Sequence, residues 1–125
     1  MRTFGKALFL VIFAGFLFAA CSTAAIEKQM RFGIWAAERD LWDEAVFRWK
    51  RVLAASPDSA AAHNNLAVAC EKKGLVEEAR KEYELALKLA PDNAKVKFNY
   101  IKFKESLGAG DKPGLDKGKE KNEKK

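Results

Sequence analysis

Two side chains in the sequence could form a nucleophile and a base: Cys70 and His63, seven positions apart. On a helix this spacing places them on one side but separates them by about 10 Å along the axis. A nucleophile and its base need to approach within about 3.2 Å. The sequence therefore predicts a small core residue at Cys70 and a packed or partly exposed ring at His63, rather than a catalytic pair.

Paired carboxylates are the other candidates for acid–base chemistry. Asp43-Glu44 and Glu77-Glu78 each open a predicted helix, where acidic side chains stabilise the helix dipole. The single His and two Cys of the chain provide no ligand spacing for a metal, and the sequence contains no glycine-rich phosphate loop. We therefore predict a non-enzyme without catalytic residues, cofactor, metal site or small-molecule substrate.

The charge pattern argues against nucleic acid as a partner. The net charge is +6, from 23 basic and 17 acidic residues, which is mild for a nucleic-acid-binding protein. Residues 108–125 are mainly Gly, Lys, Asp and Glu, with six lysines against four acids. This segment has too few apolar residues to order itself, so it is predicted to be a disordered Lys-rich tail. An electrostatic contact of the tail with anionic lipid is the alternative.

The remaining residue with chemistry is Cys21, which ends a charged and then apolar leader. Arg2 and Lys6 precede an unbroken apolar run over 7–20, fourteen residues long. At the helical rise this run covers about 21 Å, less than the ~30 Å hydrocarbon core of a bilayer. A charged start followed by a short apolar stretch is typical of a secretory signal.

The junction Leu17-Phe18-Ala19-Ala20-Cys21 resembles the lipobox of bacterial lipoproteins, with Phe18 where that family usually has Leu. The resemblance implies a signal peptide over 1–20, lipidation of Cys21 and a lipidated linker over 21–25. Ser22 then implies the outer membrane, with the folded part facing the periplasm. Three alternatives stay open: attachment to the inner membrane, an uncleaved anchor over 7–26, and cleavage after Ala24 to a soluble periplasmic or secreted protein.

The sequence also repeats itself with a period of 34 residues. That shift aligns Leu41 with Leu75, Ala45 with Ala79 and Pro57 with Pro91, and a further shift of 34 aligns Asn65 with Asn99. Apolar residues at spacings of three and four predict helices, over 27–38, 42–55, 60–72, 76–89 and 94–107. Ser59 and Asn93 are predicted N-caps, and Lys72-Lys73-Gly74 a helix end. Val96, Tyr100, Phe103 and Leu107 form the apolar stripe of the last helix.

The unit 60–93 resembles a tetratricopeptide repeat, with Leu66-Ala67, Gly74, Ala79, Tyr83, Ala86 and Pro91-Asp92 where that family has them. The unit 26–59 departs from the pattern at Asp40, which replaces the turn Gly, and at Val52. The resemblance implies an all-α fold: a short α-solenoid of antiparallel helix pairs over 26–107, with two units and a capping helix over 94–107. Small residues are expected where helices cross, Gly33 against Ala45 and Ala67 against Ala79. Trp35, Trp42 and Trp49 are expected to enlarge the first core.

In that family the first helices of successive units line a concave groove that binds a peptide. Carried over by position, the partner-binding groove of this chain consists of Met30, Ile34, Asn64, Val68, Lys95, Phe98 and Lys102. Four of these residues are apolar, which indicates a protein segment, and the lysines favour an acidic one. A clamp for a terminal carboxylate is not expected, because only Asn65 and Lys95 hold clamp positions.

Together these features predict a membrane-tethered, non-catalytic adaptor or scaffold that binds a protein partner in the cell envelope. Related lipoproteins serve pilus, secretion or envelope-assembly machines. The alternative is a structural envelope protein that self-associates as a homo-oligomer, through its uncapped first helix and Phe47.

Overall fold

The computed structural model describes residues 23–110, which form five helices. Helix α1 covers residues 23–37. The others are α2 (Trp42–Ala55), α3 (Ala60–Lys72), α4 (Val76–Leu89) and α5 (Ala94–Gly110). The bounds of α2, α3 and α4 are those predicted from the sequence. Residues 23–26, before the predicted start of α1, are already helical, α1 ends one residue before its predicted end, and α5 ends three residues after its predicted end.

The predicted signal peptide, the lipidation site Cys21 and most of the predicted Lys-rich tail lie outside the described residues. Their assignments stay predictions. Within residues 23–110, no helix combines the length and the apolar character that a bilayer crossing requires.

Both helix pairs turn at residues with left-handed backbone, Asp40 (φ 58°) and Gly74 (φ 74°). The amide of Leu41 donates to the Ala36 carbonyl at 3.0 Å, and the amide of Leu75 donates to the Cys70 carbonyl at 2.9 Å. These bonds close the helix ends in the same way, 34 residues apart. Aspartate tolerates the left-handed region better than most residues, so Asp40 preserves the turn that Gly74 makes in the second unit.

The starts of α3 and α5 are capped by side chains, as predicted. The Ser59 hydroxyl accepts a hydrogen bond from the Ala62 amide at 3.3 Å, and the Asn93 side chain accepts one from the Val96 amide at 3.2 Å. Helices α2 and α4 begin without a side-chain cap, and each has two acids in its first turn. These acids take the place of a cap by stabilising the helix dipole.

Helix α3 lies at the centre of the stack and packs against α2, α4 and α5. Where it crosses α4, Ala67 and Ala79 are both fully buried, as predicted. At Gly33 the nearest atoms that an added side chain would meet belong to Trp49, a contact that was not predicted. The fold is therefore the predicted all-α solenoid of helix pairs, and α1 approaches the Trp49 indole of α2 at Gly33.

Helix α5 closes the stack with the predicted apolar stripe. Val96 and Phe103 are 2% and 1% exposed, and Tyr100 and Leu107 pack partly buried against the core. The Phe103 ring centre lies 5.3 Å from that of Tyr83 in α4. Because the stripe covers the open side of the second unit, α5 acts as the cap of the solenoid.

The three tryptophans of the first unit do not share one role. Trp49 is 2% exposed and belongs to the core, and Trp42 packs partly buried against it. Trp35 is 42% exposed, so the expectation that it enlarges the core is wrong. Residue 35 lies between Ile34 and the buried Ala36. Successive side chains of a helix are rotated by about 100°, so the Trp35 side chain points outward, away from Ala36.

Candidate functional site

A concave groove of about 440 Å³ lies along α1, α3 and α5. Its lining is Ile34, Ala37, Glu38, Trp49, Asn64, Asn65, Val68, Lys95 and Asn99. These are mostly residues of the first helix of each unit, since α1, α3 and α5 occupy equivalent places in the 34-residue repeat. We call this lining the concave groove.

The concave groove brings together four of the seven residues predicted for it: Ile34, Asn64, Val68 and Lys95. The other three are placed differently, and none of them belongs to its lining. Met30 is partly buried against the core, with its sulfur 4.0 Å from the Asn65 amide nitrogen. Phe98 is 60% exposed. Lys102 forms an ion pair with Glu105 at 2.8 Å, with its ammonium 5.9 Å from the Phe98 ring centre.

Three asparagines link α3 and α5 at the concave groove. The Asn99 side-chain amide donates to the Asn64 carbonyl oxygen at 3.0 Å, and the Asn64 amide faces Asn65 Oδ1 at 3.4 Å. Asn64 is 2% exposed, so these bonds satisfy an otherwise buried amide. Asn65 and Asn99 are half-buried and present amide groups that can pair with the backbone of a bound segment. The predicted partner-binding set omitted these two residues, although Asn65 is assigned to a clamp position and both recur at the 34-residue period.

The charges and apolar groups of the concave groove define what can bind there. Ile34 is 42% exposed and Val68 is half-buried, which leaves apolar surface open to a partner. Lys95 and Glu38 are the charged residues of its lining, so their charges balance. The concave groove therefore offers apolar contact and neutral hydrogen-bonding groups, and its preference for an acidic segment rests on Lys95 alone.

His63 and Cys70 have the packing roles predicted for them. His63 is 8% exposed; its Nδ1 lies 2.6 Å from Glu82 Oε2 and its Nε2 lies 2.9 Å from the Pro57 carbonyl oxygen. The ring thereby ties α3 to α4 and to the turn before α3. Cys70 is a buried free thiol, and burial, with Glu82 nearby, raises the pKa of that thiol. A raised pKa keeps the sulfur protonated and unreactive.

A second polar link joins α3 to α4. The Tyr83 hydroxyl, buried within the core, donates to Glu71 Oε2 at 2.9 Å. Burial and this carboxylate raise the pKa of Tyr83 far above its ordinary value, so the phenol remains a donor at physiological pH.

Within the described residues no group of three or more His, Cys, Asp or Glu side chains could hold a metal ion.

The convex side of the first unit exposes one large aromatic residue. Phe47 is 50% exposed, as its position in α2 predicted. The guanidinium carbons of Arg48 and Arg51 lie 5.6 Å and 5.7 Å from its ring centre. The ring is thus flanked by cations, which covers part of its apolar surface.

A comparison with protein families gives one match relevant to this architecture. The family described as Tetratricopeptide repeat matches residues 34–94, which contain the end of α1, all of α2, α3 and α4, and the start of α5. No curated protein matches the chain. Members of this family are typically non-catalytic and bind protein partners. The matched segment and the observed pairs of helices agree: residues 34–94 of the chain are tetratricopeptide repeats, which generally bind protein partners.

Proposed function

We propose that the protein is a membrane-tethered adaptor that holds a protein partner at the bacterial cell envelope. The observation that carries the proposal is the lining of the concave groove, where Ile34 and Val68 lie beside Asn65, Asn99 and Lys95. Apolar side chains next to amide groups suit an extended or helical peptide, because both its side chains and its polar groups find partners. The assembly that the partner belongs to is of the pilus, secretion or envelope type.

The membrane tether is supported by the sequence before α1. The basic start, the apolar run over 7–20 and the junction ending at Cys21 resemble a lipoprotein signal. Ser22 favours the outer membrane, so we place the repeat domain in the periplasm. Several acyl chains at one residue bury many methylene groups at ~0.8 kcal/mol each, which makes such an anchor effectively permanent.

Cys21 is expected to be the first residue of the mature protein and to carry lipid. Intact mass spectrometry of the protein purified from membranes should give a chain that begins at Cys21 and carries acyl groups. Cys21→Ser should leave an unprocessed precursor, because the thiol that takes the lipid is absent. A mature chain without acyl groups, or one that begins after Ala24, contradicts the tether.

Ile34→Glu is expected to abolish partner binding while leaving the fold intact. The added carboxylate would lose its hydration against the apolar contact with the partner, which costs several kcal/mol, or about a hundredfold or more in Kd. The melting temperature should change little, because Ile34 is 42% exposed in the free protein. The measurement is recovery of the partner from native envelopes, followed by a titration with the purified partner.

Lys81→Glu on the exposed side of α4 is the control and should leave partner binding unchanged. Phe98→Glu, at the residue predicted from the sequence, tests whether the contact extends beyond the concave groove along α5. Phe47→Glu tests the alternative of self-association through the convex side. Loss of binding or of oligomers with Phe47→Glu, combined with intact binding with Ile34→Glu, contradicts the groove and favours the structural envelope protein.

A further inference from the structure

The outer side of α1 gathers aromatic and cationic side chains on one helical face. Lys28, Arg31, Phe32 and Trp35 line one shallow depression, as their spacing of three and four positions requires. Phe32 and Trp35 are 41% and 42% exposed, with ring centres 5.2 Å apart. The Arg39 guanidinium lies 4.4 Å from the Trp35 ring centre. We call these five residues the α1 outer face.

The fold of the domain does not require this face to be aromatic. The buried contacts of α1 with the stack are made on its opposite side, through Gly33, Ala36 and their buried neighbours. On the outer side the Arg48 guanidinium of α2 lies 4.6 Å from the Phe32 ring centre, a contact that leaves the ring 41% exposed. An exposed helix of a solenoid end is stable with polar side chains alone. Two adjacent exposed rings surrounded by cations therefore indicate a surface that they contact.

We propose that the α1 outer face docks on an anionic lipid surface and lays the repeat domain against the membrane, an inference that rests on the proposed lipid tether. Tryptophan and phenylalanine rings are suited to the headgroup level of a bilayer, and Lys and Arg pair with anionic lipid there. The rings supply apolar contact and the cations supply the attraction, which together are the two components of interfacial binding.

The position of the tether selects this surface. Residue 23 is already helical and lies two residues after Cys21, which is a reach of at most about 7 Å. Lys28 follows five residues into the helix, about 7.5 Å further along its axis. A lipid at Cys21 therefore holds the α1 outer face at a high effective concentration beside the headgroups, so even weak docking is populated.

Acidic residues adjoin the aromatic rings on the side of the α1–α2 turn. Phe32 and Trp35 also line a second depression there, together with Asp40, Asp43 and Glu44, and these carboxylates repel an anionic surface. The Glu38 carboxylate lies 3.9 Å from the Arg39 guanidinium and partly offsets its attraction for anions. The strongest attraction is thus placed at Lys28 and Arg31, at the end of α1 that is nearest to the tether.

A second copy of the chain is a poorer occupant than lipid. End-to-end stacking would bring the α1 outer face against α5, whose exposed lysines are Lys95, Lys97, Lys102 and Lys104. Both surfaces are cationic, so their approach is opposed by electrostatic repulsion. Anionic headgroups have the complementary charge.

Docking in this orientation leaves the concave groove open. Ile34 precedes Trp35 and points about 100° away from it around the helix. With Trp35 at the headgroups, the concave groove faces along the membrane rather than into it. A partner at the membrane surface can then reach the groove.

The test is fluorescence quenching of the mature full chain in vesicles with brominated acyl chains. The Trp35 signal is taken as the difference between the wild-type chain and Trp35→Phe. We expect quenching in vesicles of phosphatidylcholine mixed with phosphatidylglycerol, and little quenching in phosphatidylcholine alone. The double reversal Lys28→Glu/Arg31→Glu should reduce the quenching at least tenfold while the chain stays bound through its lipid. The matched reversal Lys81→Glu/Lys88→Glu on α4 should retain it.

Two outcomes overturn the proposal. One is equal Trp35 fluorescence in brominated and unbrominated anionic vesicles. The other is a dimer in vesicle-free solution that the Lys28→Glu/Arg31→Glu reversal disperses, which would assign the face to a second copy. If the mature chain has no acyl group, the tether fails by itself, and the chain is mixed with the same anionic vesicles at low ionic strength. Quenching of Trp35 then supports the lipid-docking face, and its absence overturns it.

Discussion

Ala79→Leu is expected to destabilise the repeat domain by about 1–3 kcal/mol, lowering the midpoint of thermal unfolding by roughly 5–20 °C. Ala79 is fully buried, as is Ala67 in the helix that it crosses. A leucine at this crossing must push the backbones of α3 and α4 apart or adopt a strained rotamer. Because two units and a cap are near the lower limit for a stable solenoid, the loss removes a large part of the total stability.

Ala54→Leu is the matched control for this substitution. Ala54 is an exposed residue of α2, so the same added side chain meets solvent and should change the melting midpoint by only a few degrees. Circular dichroism during thermal and urea denaturation measures both variants. An unchanged midpoint for Ala79→Leu would mean that α3 and α4 do not meet at this residue, and the alignment of the repeat would then be wrong.

Local sequence signals predicted the helices and their ends because each signal acts within one turn. Ser59 and Asn93 cap the helices that follow them, and Asp40 and Gly74 both adopt the positive φ of a turn. The 34-residue period then fixed the pairing of the helices. These parts of the fold depend on neighbours in sequence, and one chain is enough to identify them.

The groove was predicted less completely, because it depends on how each helix is rotated relative to the next. Helical spacing places Lys95, Phe98 and Lys102 on one broad side of α5, but only Lys95 lines the concave groove. A rotation of α5 about its axis by less than the 100° between successive residues decides whether residue 98 or residue 99 points into the groove. The packing of Val96 and Phe103 against the core sets that rotation. The periodicity of a single helix does not predict such packing between helices.

The sequence patterns also did not predict contacts between residues that are distant in the sequence. The pairing of His63 with Glu82 at 2.6 Å joins residues from different helices of one unit. The approach of Gly33 to Trp49 joins α1 to α2, and the repeat pattern named only Ala45 as a neighbour there. Repeat spacing identifies positions where small residues are needed, but it does not identify which side chain fills the space beside them.

Gly33→Ala is expected to destabilise the domain, although Ala normally stabilises a helix by about 1 kcal/mol relative to Gly. A Cβ atom at residue 33 would lie 2.7 Å from Trp49 Cε2 and 2.8 Å from Trp49 Cδ1. The indole is 2% exposed and packed in the core, so it can shift only by giving up contacts that it makes there. Overpacking then outweighs the helix preference, and we expect a net loss of about 1–3 kcal/mol in the free energy of unfolding.

Gly108→Ala in α5 is the control, because a Cβ placed at that residue meets no atom within 4 Å apart from its chain neighbours and the backbone of its own helix. It should leave stability unchanged or raise it by up to about 1 kcal/mol. The opposite signs of the two glycine-to-alanine changes separate the effect of the Trp49 contact from that of helix propensity. Equal stabilisation by both would mean that α1 and α2 are further apart than the structure has them.

Trp49→Phe identifies the side chain responsible for the effect of Gly33→Ala. By itself, Trp49→Phe removes buried volume and should cost stability, because the core cannot fully close around the smaller ring. Its buried Nε1 has no hydrogen-bond partner in the structure, so no hydrogen bond is lost with it. In the double variant the methyl group added at residue 33 occupies part of the vacated space. The stability loss of the double variant should therefore be smaller than the sum of the two single losses, by at least about 1 kcal/mol. Additive losses in urea denaturation would show that Gly33 is needed for a reason other than the approach of the indole.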